Sequence, residues 1–132
     1  MLNKNLKFLI VDDLSSVRTI VANMLNEIGF MNIDQAENGE TALQKLQQGN
    51  FDFVISDWNM PNMDGLAMLR EVRATEFLKE IPVLIVAEEV KKLNILAAIE
   101  AGANGFLEKP FSTNILSEKL IVIARNIANY TD

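Results

Sequence analysis

Four charged side chains stand directly after predicted strands. Asp12 and Asp13 follow the first strand, Asp57 follows the third, and Lys109 follows the fifth. The runs before the three aspartates are short, apolar and rich in β-branched residues, which is typical of strands buried on both faces of a parallel sheet. In open α/β sheets, ligands bind at the carboxyl ends of the strands. The four charges are therefore expected to converge at one edge of a sheet.

Electrostatics restricts what this cluster can do. Two carboxylates about 5 Å apart repel by roughly 3 kcal/mol at an effective dielectric constant of about 20. Three carboxylates and the single ammonium of Lys109 leave a net charge of about −2, which a divalent cation balances. All-oxygen ligands favour Mg²⁺, Mn²⁺ or Ca²⁺, and Mg²⁺ often combines one or two carboxylates with a phosphate. A carboxylate beside Mg²⁺ and a lysine can accept a phosphoryl group, with Asp57 as the nucleophile.

A simpler interpretation is a solvated acidic cluster that holds no ligand. Asp57 would then only cap the following helix, and Asp13 would cap the helix after the first strand. This interpretation leaves unexplained why Asp12 and Asp57 both end otherwise apolar strands. The sequence therefore favours metal and phosphoryl chemistry.

The composition narrows the function classes. The 132 residues contain neither His nor Cys, which excludes imidazole bases, thiol catalysis and the usual zinc sites. The net charge of −6 and the isoelectric point near 4.7 argue against nucleic-acid binding. No apolar run approaches the ~18 residues that span a membrane, and no secretory signal is evident. The sequence predicts a cytoplasmic, monomeric protein of one domain, residues 1–132, without a membrane partner.

Strand and helix patterns alternate five times around the charges. The predicted strands cover residues 7–11, 32–36, 53–55, 82–87 and 105–108. Apolar residues at helical spacing predict the helices. The first helix carries Val17, Ile20, Val21, Met24, Leu25 and Ile28, and the last carries Ile115, Leu116, Leu120, Ile123 and Ile127. This alternation predicts an α/β fold, a (βα)5 doubly wound five-stranded parallel sheet with helices on both faces.

Local signals predict where the first helix begins and ends and whether the last segment of the chain is ordered. Ser15 or Ser16 is expected to cap the first helix, and Gly29 is expected to end it. The tail, residues 126–132, is expected to fray, as the last residues of a domain commonly do.

Four motifs resemble those of response-regulator receiver domains, and in particular of the chemotaxis regulators. They are VDD at 11–13, SDWNMPNMDG at 56–65, AGA at 101–103 and KPF at 109–111. Their order and spacing both match, and the resemblance covers nearly the whole chain. It implies the flavodoxin-like strand order 2-1-3-4-5. It also implies a two-component signalling protein that catalyses only its own phosphorylation and dephosphorylation.

The resemblance assigns roles by position. Asp57 is similar to the phosphoacceptor, and Asp12 and Asp13 to the acidic pair that holds Mg²⁺. The backbone carbonyl of Asn59 resembles a further metal ligand. Lys109 resembles the lysine that contacts the phosphoryl group, and its peptide bond to Pro110 is cis in the family.

The resemblance also implies partners. The phosphoryl donor is expected to be a phosphohistidine on a chemotaxis-type histidine kinase, or a small phosphodonor. The output face of the family comprises the fourth helix, fifth strand and fifth helix, and its partner in chemotaxis is the flagellar motor switch protein. A phosphatase is a further implied partner. Asn59 and Glu89 occupy positions that influence hydrolysis of the aspartyl phosphate.

The chain departs from the family at the switch. The family has Thr or Ser at the end of the fourth strand, where this chain has Ala87. A hydrogen bond to a charged group contributes about 1.5–3 kcal/mol, and a near-complete two-state switch needs about 5.5 kcal/mol. Losing the hydroxyl is therefore expected to weaken the coupling without removing the chemistry. Phe106 replaces the usual switch tyrosine, and Glu108 adds a negative charge to the docking face.

These departures leave an alternative function open. In this alternative the chain is a divergent paralogue that draws phosphoryl groups from the kinase or serves another partner. Two other classes fit less well. A Mg²⁺-dependent phosphatase with an aspartyl-phosphate intermediate needs a second aspartate where this chain has Asn59. A flavin-binding carrier needs a hydroxyl-rich loop in place of Asp12, Asp13 and Leu14.

Overall fold

The computed structural model describes residues 2–88, 92–125 and 127–131, and only the backbone of residues 92–94. Strands and helices alternate in the order β1 (Phe8–Val11), α1 (Ser15–Ile28), β2 (Ile33–Ala36), α2 (Gly39–Gln48), β3 (Phe53–Asp57), α3 (Gly65–Ala74), β4 (Val83–Ala87), α4 (Lys92–Ala101), β5 (Gly105–Glu108) and α5 (Thr113–Ala124). All neighbouring strands pair in parallel, in the order β2-β1-β3-β4-β5. The predicted fold class and strand order are confirmed.

The central strands are buried on both faces because alternate side chains enter two different cores. Phe8 and Ile10 of β1 pack with apolar residues of α1 and α5. Leu9 and Val11 of the same strand pack with residues of α2 and α3. The period of two along a strand explains this division. The continuous apolar runs in the sequence therefore do indicate strands covered by helices on both sides.

On α1 and α5, the predicted apolar face is wider than the face that is buried in the structure. The side chain of Ile20 is 54% exposed and that of Ile115 is 43% exposed, whereas the next residues, Val21 and Leu116, are buried. Consecutive helical residues point about 100° apart. When Val21 or Leu116 faces the sheet, the residue before it therefore lies at the margin of the buried arc.

The helix caps correct one prediction, confirm another and answer the alternative interpretation of Asp57. Leu14 is the N-cap of α1, and Ser15 and Ser16 lie inside the first turn, so the serines do not cap the helix. Gly29 ends α1 with a φ of 119°, a left-handed conformation that favours glycine. Asp64, whose side chain accepts from the Ala67 amide at 2.8 Å, caps α3. The carboxylate of Asp57 is therefore not needed as a helix cap.

The described part of the tail, residues 127–131, is ordered where it was expected to fray. Leu2 and Thr131 form an antiparallel bridge, and the Asn3 amide donates to the carbonyl of Tyr130 at 2.8 Å. The hydroxyl of Tyr130 donates to the carbonyl of Asp52. An aromatic ring and paired backbone groups thus fix residues 127–131 against the body of the domain.

The edge of the sheet at the amino ends of the strands, called here the amino edge, is tied together by Arg73 at the end of α3. Its guanidinium donates to the carbonyls of Lys79, Ile81 and Gly102 and to the side-chain oxygen of Asn104, at 2.8–3.1 Å. One side chain therefore links the loop before β4 to the loop before β5. Among the described residues, no helix is long and apolar enough to cross a membrane.

Candidate metal and phosphoryl site

The opposite edge, at the carboxyl ends of the strands, is called here the carboxyl edge, and it brings the four predicted charges together. Asp12 follows β1, Asp57 is the last residue of β3, and Lys109 follows β5. Carboxylate oxygens of Asp12, Asp13 and Asp57 all lie within 4.8 Å of one another. The ends of β1, β3 and β5 thus bring together residues that are up to 97 positions apart, although β5 does not adjoin β1 or β3 in the sheet.

Lys109 bridges two of the carboxylates. Its Nζ lies 3.1 Å from Oδ2 of Asp12 and 3.3 Å from Oδ1 of Asp57. Asp12 is only 3% exposed, so its charge depends on partners within the protein. Its Oδ1 also accepts from the amide of Leu14 at 2.9 Å. Asp13, by contrast, is exposed to solvent.

The pKa values of the central pair follow from burial and charge. Burial raises the pKa of Asp57, the charge of Lys109 lowers it, and the charge of Asp12 raises it again; the net pKa lies above the ordinary value. Burial lowers the pKa of Lys109, but its hydrogen bond to Asp12 and the charges of Asp57 and Asp12 raise it above the ordinary value overall. Lys109 therefore stays protonated at neutral pH, whereas burial and the neighbouring charge of Asp12 both disfavour the charged form of Asp57.

The donor set fits a hard divalent cation. Three carboxylates face one ammonium, and their oxygens are close enough to share an ion. Oxygen ligands of this kind are those preferred by Mg²⁺. Asn59, the predicted carbonyl ligand, lies exposed at the start of the loop that joins β3 to α3.

Gly65 shapes the loop that follows Asp57. Its amide donates to the carbonyl of Trp58 at 2.9 Å, which folds the start of α3 back onto the end of β3. A Cβ atom at Gly65 would lie 2.3 Å from the carbonyl oxygen of Asp57. Because no side chain fits there, glycine lets the loop close beside the acidic cluster.

The switch positions lie next to this cluster. Ala87 ends β4, is 2% exposed, and accepts a hydrogen bond from the Lys109 amide at 2.8 Å. Phe106 is half-buried, and its ring centroid lies 6.2 Å from that of Trp58. Glu108 is exposed and pairs with Ala87 in the strand register. Glu89, the other position linked to hydrolysis, lies outside the described residues.

Sequence reasoning missed Arg18 on α1. Its Nη1 donates to the backbone carbonyl of Asp12 at 2.6 Å, and its Nε donates to Oε1 of Gln35 at 3.0 Å. The only signal in the sequence is a basic residue on the helix that follows the acidic pair. A long side chain that folds back onto a preceding loop leaves no periodic pattern.

The comparisons with known proteins agree with this geometry. The family model described as the response regulator receiver domain matches residues 8–121. The chain therefore belongs to the receiver-domain family of two-component response regulators.

Its relatives include chemotaxis proteins. The chain is 51% identical over 120 residues to chemotaxis protein CheY-3 of Vibrio cholerae, covering 91% of this chain and 92% of the relative. It is 50% identical over 115 residues to chemotaxis protein CheY of Pseudomonas aeruginosa, covering 87% and 93%. The chain is thus a receiver domain of the CheY type, a class of regulators that signal rather than act as ordinary enzymes.

Solved structures share the fold. The chemotaxis protein CheY4 of Vibrio cholerae superimposes with a TM-score of 0.85 at 34% identity, covering 90% of this chain and 98% of that one. The response regulator TrrA of Thermotoga maritima, solved in complex with Mg²⁺ and BeF, superimposes with a TM-score of 0.79 at 33% identity, covering 89% and 98%.

Proposed function

We propose that residues 1–132 form a single receiver domain that accepts a phosphoryl group on Asp57 from a histidine kinase of the chemotaxis type. The observation that carries the proposal is the bridge from Lys109 to Asp12 and Asp57 beside a third carboxylate. In such a cluster one carboxylate is a nucleophile and the lysine is its electrostatic partner. The protein catalyses only its own phosphorylation and dephosphorylation.

In the transfer step, a carboxylate oxygen of Asp57 attacks phosphorus. The new O–P bond forms as the bond from phosphorus to the donor's imidazole nitrogen breaks, and its electron pair leaves with the imidazole. The leaving group departs as neutral imidazole if its other nitrogen carries a proton. Lys109 can contact both Asp57 and a phosphoryl oxygen, because its Nζ lies 3.3 Å from the nucleophile. Its positive charge then stabilises the negative charge on the equatorial phosphoryl oxygens.

Asp12, Asp13, Asp57 and the backbone carbonyl of Asn59 are the proposed Mg²⁺ ligands. When bound, the ion supplies positive charge to the phosphoryl oxygens and the carboxylates. The buried Asp12 is fixed by Leu14 and Lys109, so its carboxylate is oriented before any ion arrives. The exposed Asp13 offers a second ligand that solvent can reach.

The partners follow from the same proposal. The protein acts in the cytoplasm as a monomer, receives phosphoryl groups from the kinase, and signals through α4, β5 and α5 to the flagellar motor switch protein. A phosphatase is a third partner. The net charge of −6 argues against a nucleic-acid partner.

Trp58 allows a direct test. Its amide donates to Oδ1 of Asp57 at 2.9 Å, and the sequence contains one tryptophan. Millimolar Mg²⁺ and then beryllofluoride, a phosphoryl mimic, are each expected to change its emission. Asp57→Asn should remove the response to beryllofluoride, and incubation with a small phosphodonor should then leave the mass of this variant unchanged.

The matched control is Asp64→Asn, which alters a carboxylate in the same loop but keeps an effective helix cap. It should respond as the unmodified protein does. Emission that is unchanged at millimolar Mg²⁺ and mimic, or equal responses in the unmodified protein and Asp57→Asn, would rule out Asp57 as the phosphoacceptor.

A second candidate is a divergent paralogue with weakened switching, which passes phosphoryl groups on as a sink or binds another partner. It is favoured by Ala87, a buried residue with no hydroxyl beside the acidic cluster. Glu108 supports it as well, because its exposed charge would repel an acidic docking segment.

Binding of a motor-switch peptide separates the two candidates. With weakened switching, beryllofluoride should tighten binding less than tenfold, and Ala87→Thr should increase that ratio about tenfold by restoring a hydrogen bond to a charged group. If the unmodified chain already binds more than tenfold tighter with the mimic, switching is intact and the sink hypothesis fails.

A further inference from the structure

Arg18 makes two hydrogen bonds beside the acidic cluster. Its Nη1 donates to the backbone carbonyl of Asp12 at 2.6 Å, and its Nε donates to the side chain of Gln35 at 3.0 Å. Gln35 belongs to β2, the strand beside β1. The guanidinium therefore spans from the loop that carries the acidic pair to the neighbouring strand.

With this contact, every polar group of Asp12 has a partner. Its amide donates to the carbonyl of Ala36 at 3.1 Å, and its carbonyl accepts from Arg18. Its Oδ1 accepts from Leu14 and its Oδ2 accepts from Lys109. The loop leaves β1 at this residue, so the orientation of its peptide groups sets the direction of the carboxylate.

We propose that Arg18 is a positioning residue that fixes the main chain of Asp12 and thereby aims its carboxylate at the metal. This rests on the proposed function, because it assigns the Asp12 carboxylate to Mg²⁺. The planar guanidinium fork suits the task, since it bonds the Asp12 carbonyl and Gln35 together in fixed geometry, whereas an ammonium acts as a point charge. Groups that orient metal ligands without touching the metal commonly change the affinity 10–100-fold when they are replaced.

The positive charge of Arg18 is expected to lower the affinity for Mg²⁺, whereas its hydrogen bonds to the Asp12 loop are expected to raise it. A cation near a metal site repels Mg²⁺, so a purely electrostatic role predicts tighter Mg²⁺ binding when the charge is removed. A positioning role predicts weaker binding when the fork is removed and the charge is kept. Arg18→Lys distinguishes the two, because it keeps the charge and loses the fork.

Two measurements are made on the full chain. In the metal-free protein, hydrogen exchange of the Leu14 amide reports the orientation of the Asp12 carboxylate that it bonds. Arg18→Lys should accelerate this exchange about tenfold or more, the effect of one lost hydrogen bond to a charged group. In the second measurement, Mg²⁺ alone is titrated against Trp58 emission, and the dissociation constant of Arg18→Lys should rise about tenfold, the low end for orienting residues.

Two further variants provide a second test and a matched control. Gln35→Met keeps Arg18 but removes one of its acceptors, so it should weaken Mg²⁺ binding by a smaller factor, about two- to fivefold. It also tests the proposal if Arg18→Lys folds poorly in a urea titration. Arg70→Lys makes the same exchange at an exposed position on α3 and should match the unmodified protein in both measurements.

Three results overturn the proposal. They are unchanged exchange at Leu14 in Arg18→Lys, unchanged or tighter Mg²⁺ binding by Arg18→Lys, and no loss of affinity in Gln35→Met. Failure of the proposed function looks different, because the emission of the unmodified protein would then not respond to Mg²⁺ at all. In that case accelerated exchange at Leu14 would still show that Arg18 fixes Asp12, but the part of the proposal that concerns the metal would be refuted.

Discussion

At the amino edge of the sheet Arg73 finds four oxygen acceptors within the chain, whereas at the carboxyl edge Lys109 contacts two of three clustered carboxylates. Burial disfavours charge at both edges, lowering the pKa of Arg73 and raising that of Asp57. At the amino edge, backbone carbonyls and a side-chain amide oxygen accept hydrogen bonds from the charged guanidinium of Arg73. At the carboxyl edge negative charge is left over. The cation at the amino edge is thus paired within the fold, whereas the acidic cluster at the carboxyl edge has more carboxylates than Lys109 can pair with.

The largest effect in this comparison is expected from Arg73→Met. The substitution leaves carbonyls of two loops without their donor. Each hydrogen bond to a charged group contributes about 1.5–3 kcal/mol, but the contributions of bonds made by one side chain do not add fully. We therefore expect the unfolding free energy to fall by about 3 kcal/mol. Urea titration measures it. Mg²⁺ affinity should change little, because the site is at the other edge.

Arg70→Met on the same helix is the control for Arg73→Met, and its stability should stay within about 0.5 kcal/mol of the unmodified protein because Arg70 is exposed. If Arg73→Met lost Mg²⁺ affinity along with stability, the two edges would not be independent.

A smaller effect of opposite sign is expected from Asp13→Asn. This exposed carboxylate lies within 4.8 Å of two others, and removing its charge relieves repulsion of about 1 kcal/mol in a solvent-like dielectric. The metal-free protein should therefore become more stable by about that amount, while its Mg²⁺ affinity falls. Urea titrations without and with Mg²⁺ measure both. Glu37→Gln, at an exposed position after β2, should change neither, and a metal-free protein destabilised by Asp13→Asn would contradict the excess of negative charge.

The smallest effect concerns Tyr130, near the amino edge. Burial and the charge of Asp52 raise its pKa to about 12, above the value of about 10 in the unfolded chain. Its contribution to stability is thus fully present below about pH 10 and is lost as the pH rises towards 12. After allowance for solvent screening the loss is expected to stay below about 1 kcal/mol. Subtracting the pH profile of Tyr130→Phe isolates it, and a difference that grows between pH 6 and 9 would contradict this origin.

Much of the carboxyl edge was predictable because it follows from topology. Asp12, Asp57 and Lys109 end strands, and once the strands are parallel their ends must meet. The resemblance to the receiver family supplied what topology cannot, namely the order of the strands and the roles proposed for the residues. It also implied the cis peptide bond between Lys109 and Pro110, which the structure contains.

The polar contacts of the amino edge were not predictable in the same way. Arg73 and Tyr130 act through backbone carbonyls that lie far away in the sequence, and any residue type offers a carbonyl. Arg18 was missed because it too bonds a backbone carbonyl, which carries no residue-type signal, although this one lies only 6 positions away. The exposure of Ile20 and Ile115 shows a different limit, because apolar periodicity marks a helix face but not the width of its buried arc.

The bridge between Leu2 and Thr131 brings the two ends of the described chain together beside β3. Because the two ends already touch in the folded chain, linking them would cost the folded state little further conformational entropy. A covalent link between the ends would restrict mainly the unfolded chain, a stabilisation of about 4–5 kcal/mol for a loop of this length in the chain-entropy model. Opening the linked chain at the exposed Asn50, in the loop between α2 and β3, would give a circular permutant with the acidic cluster intact.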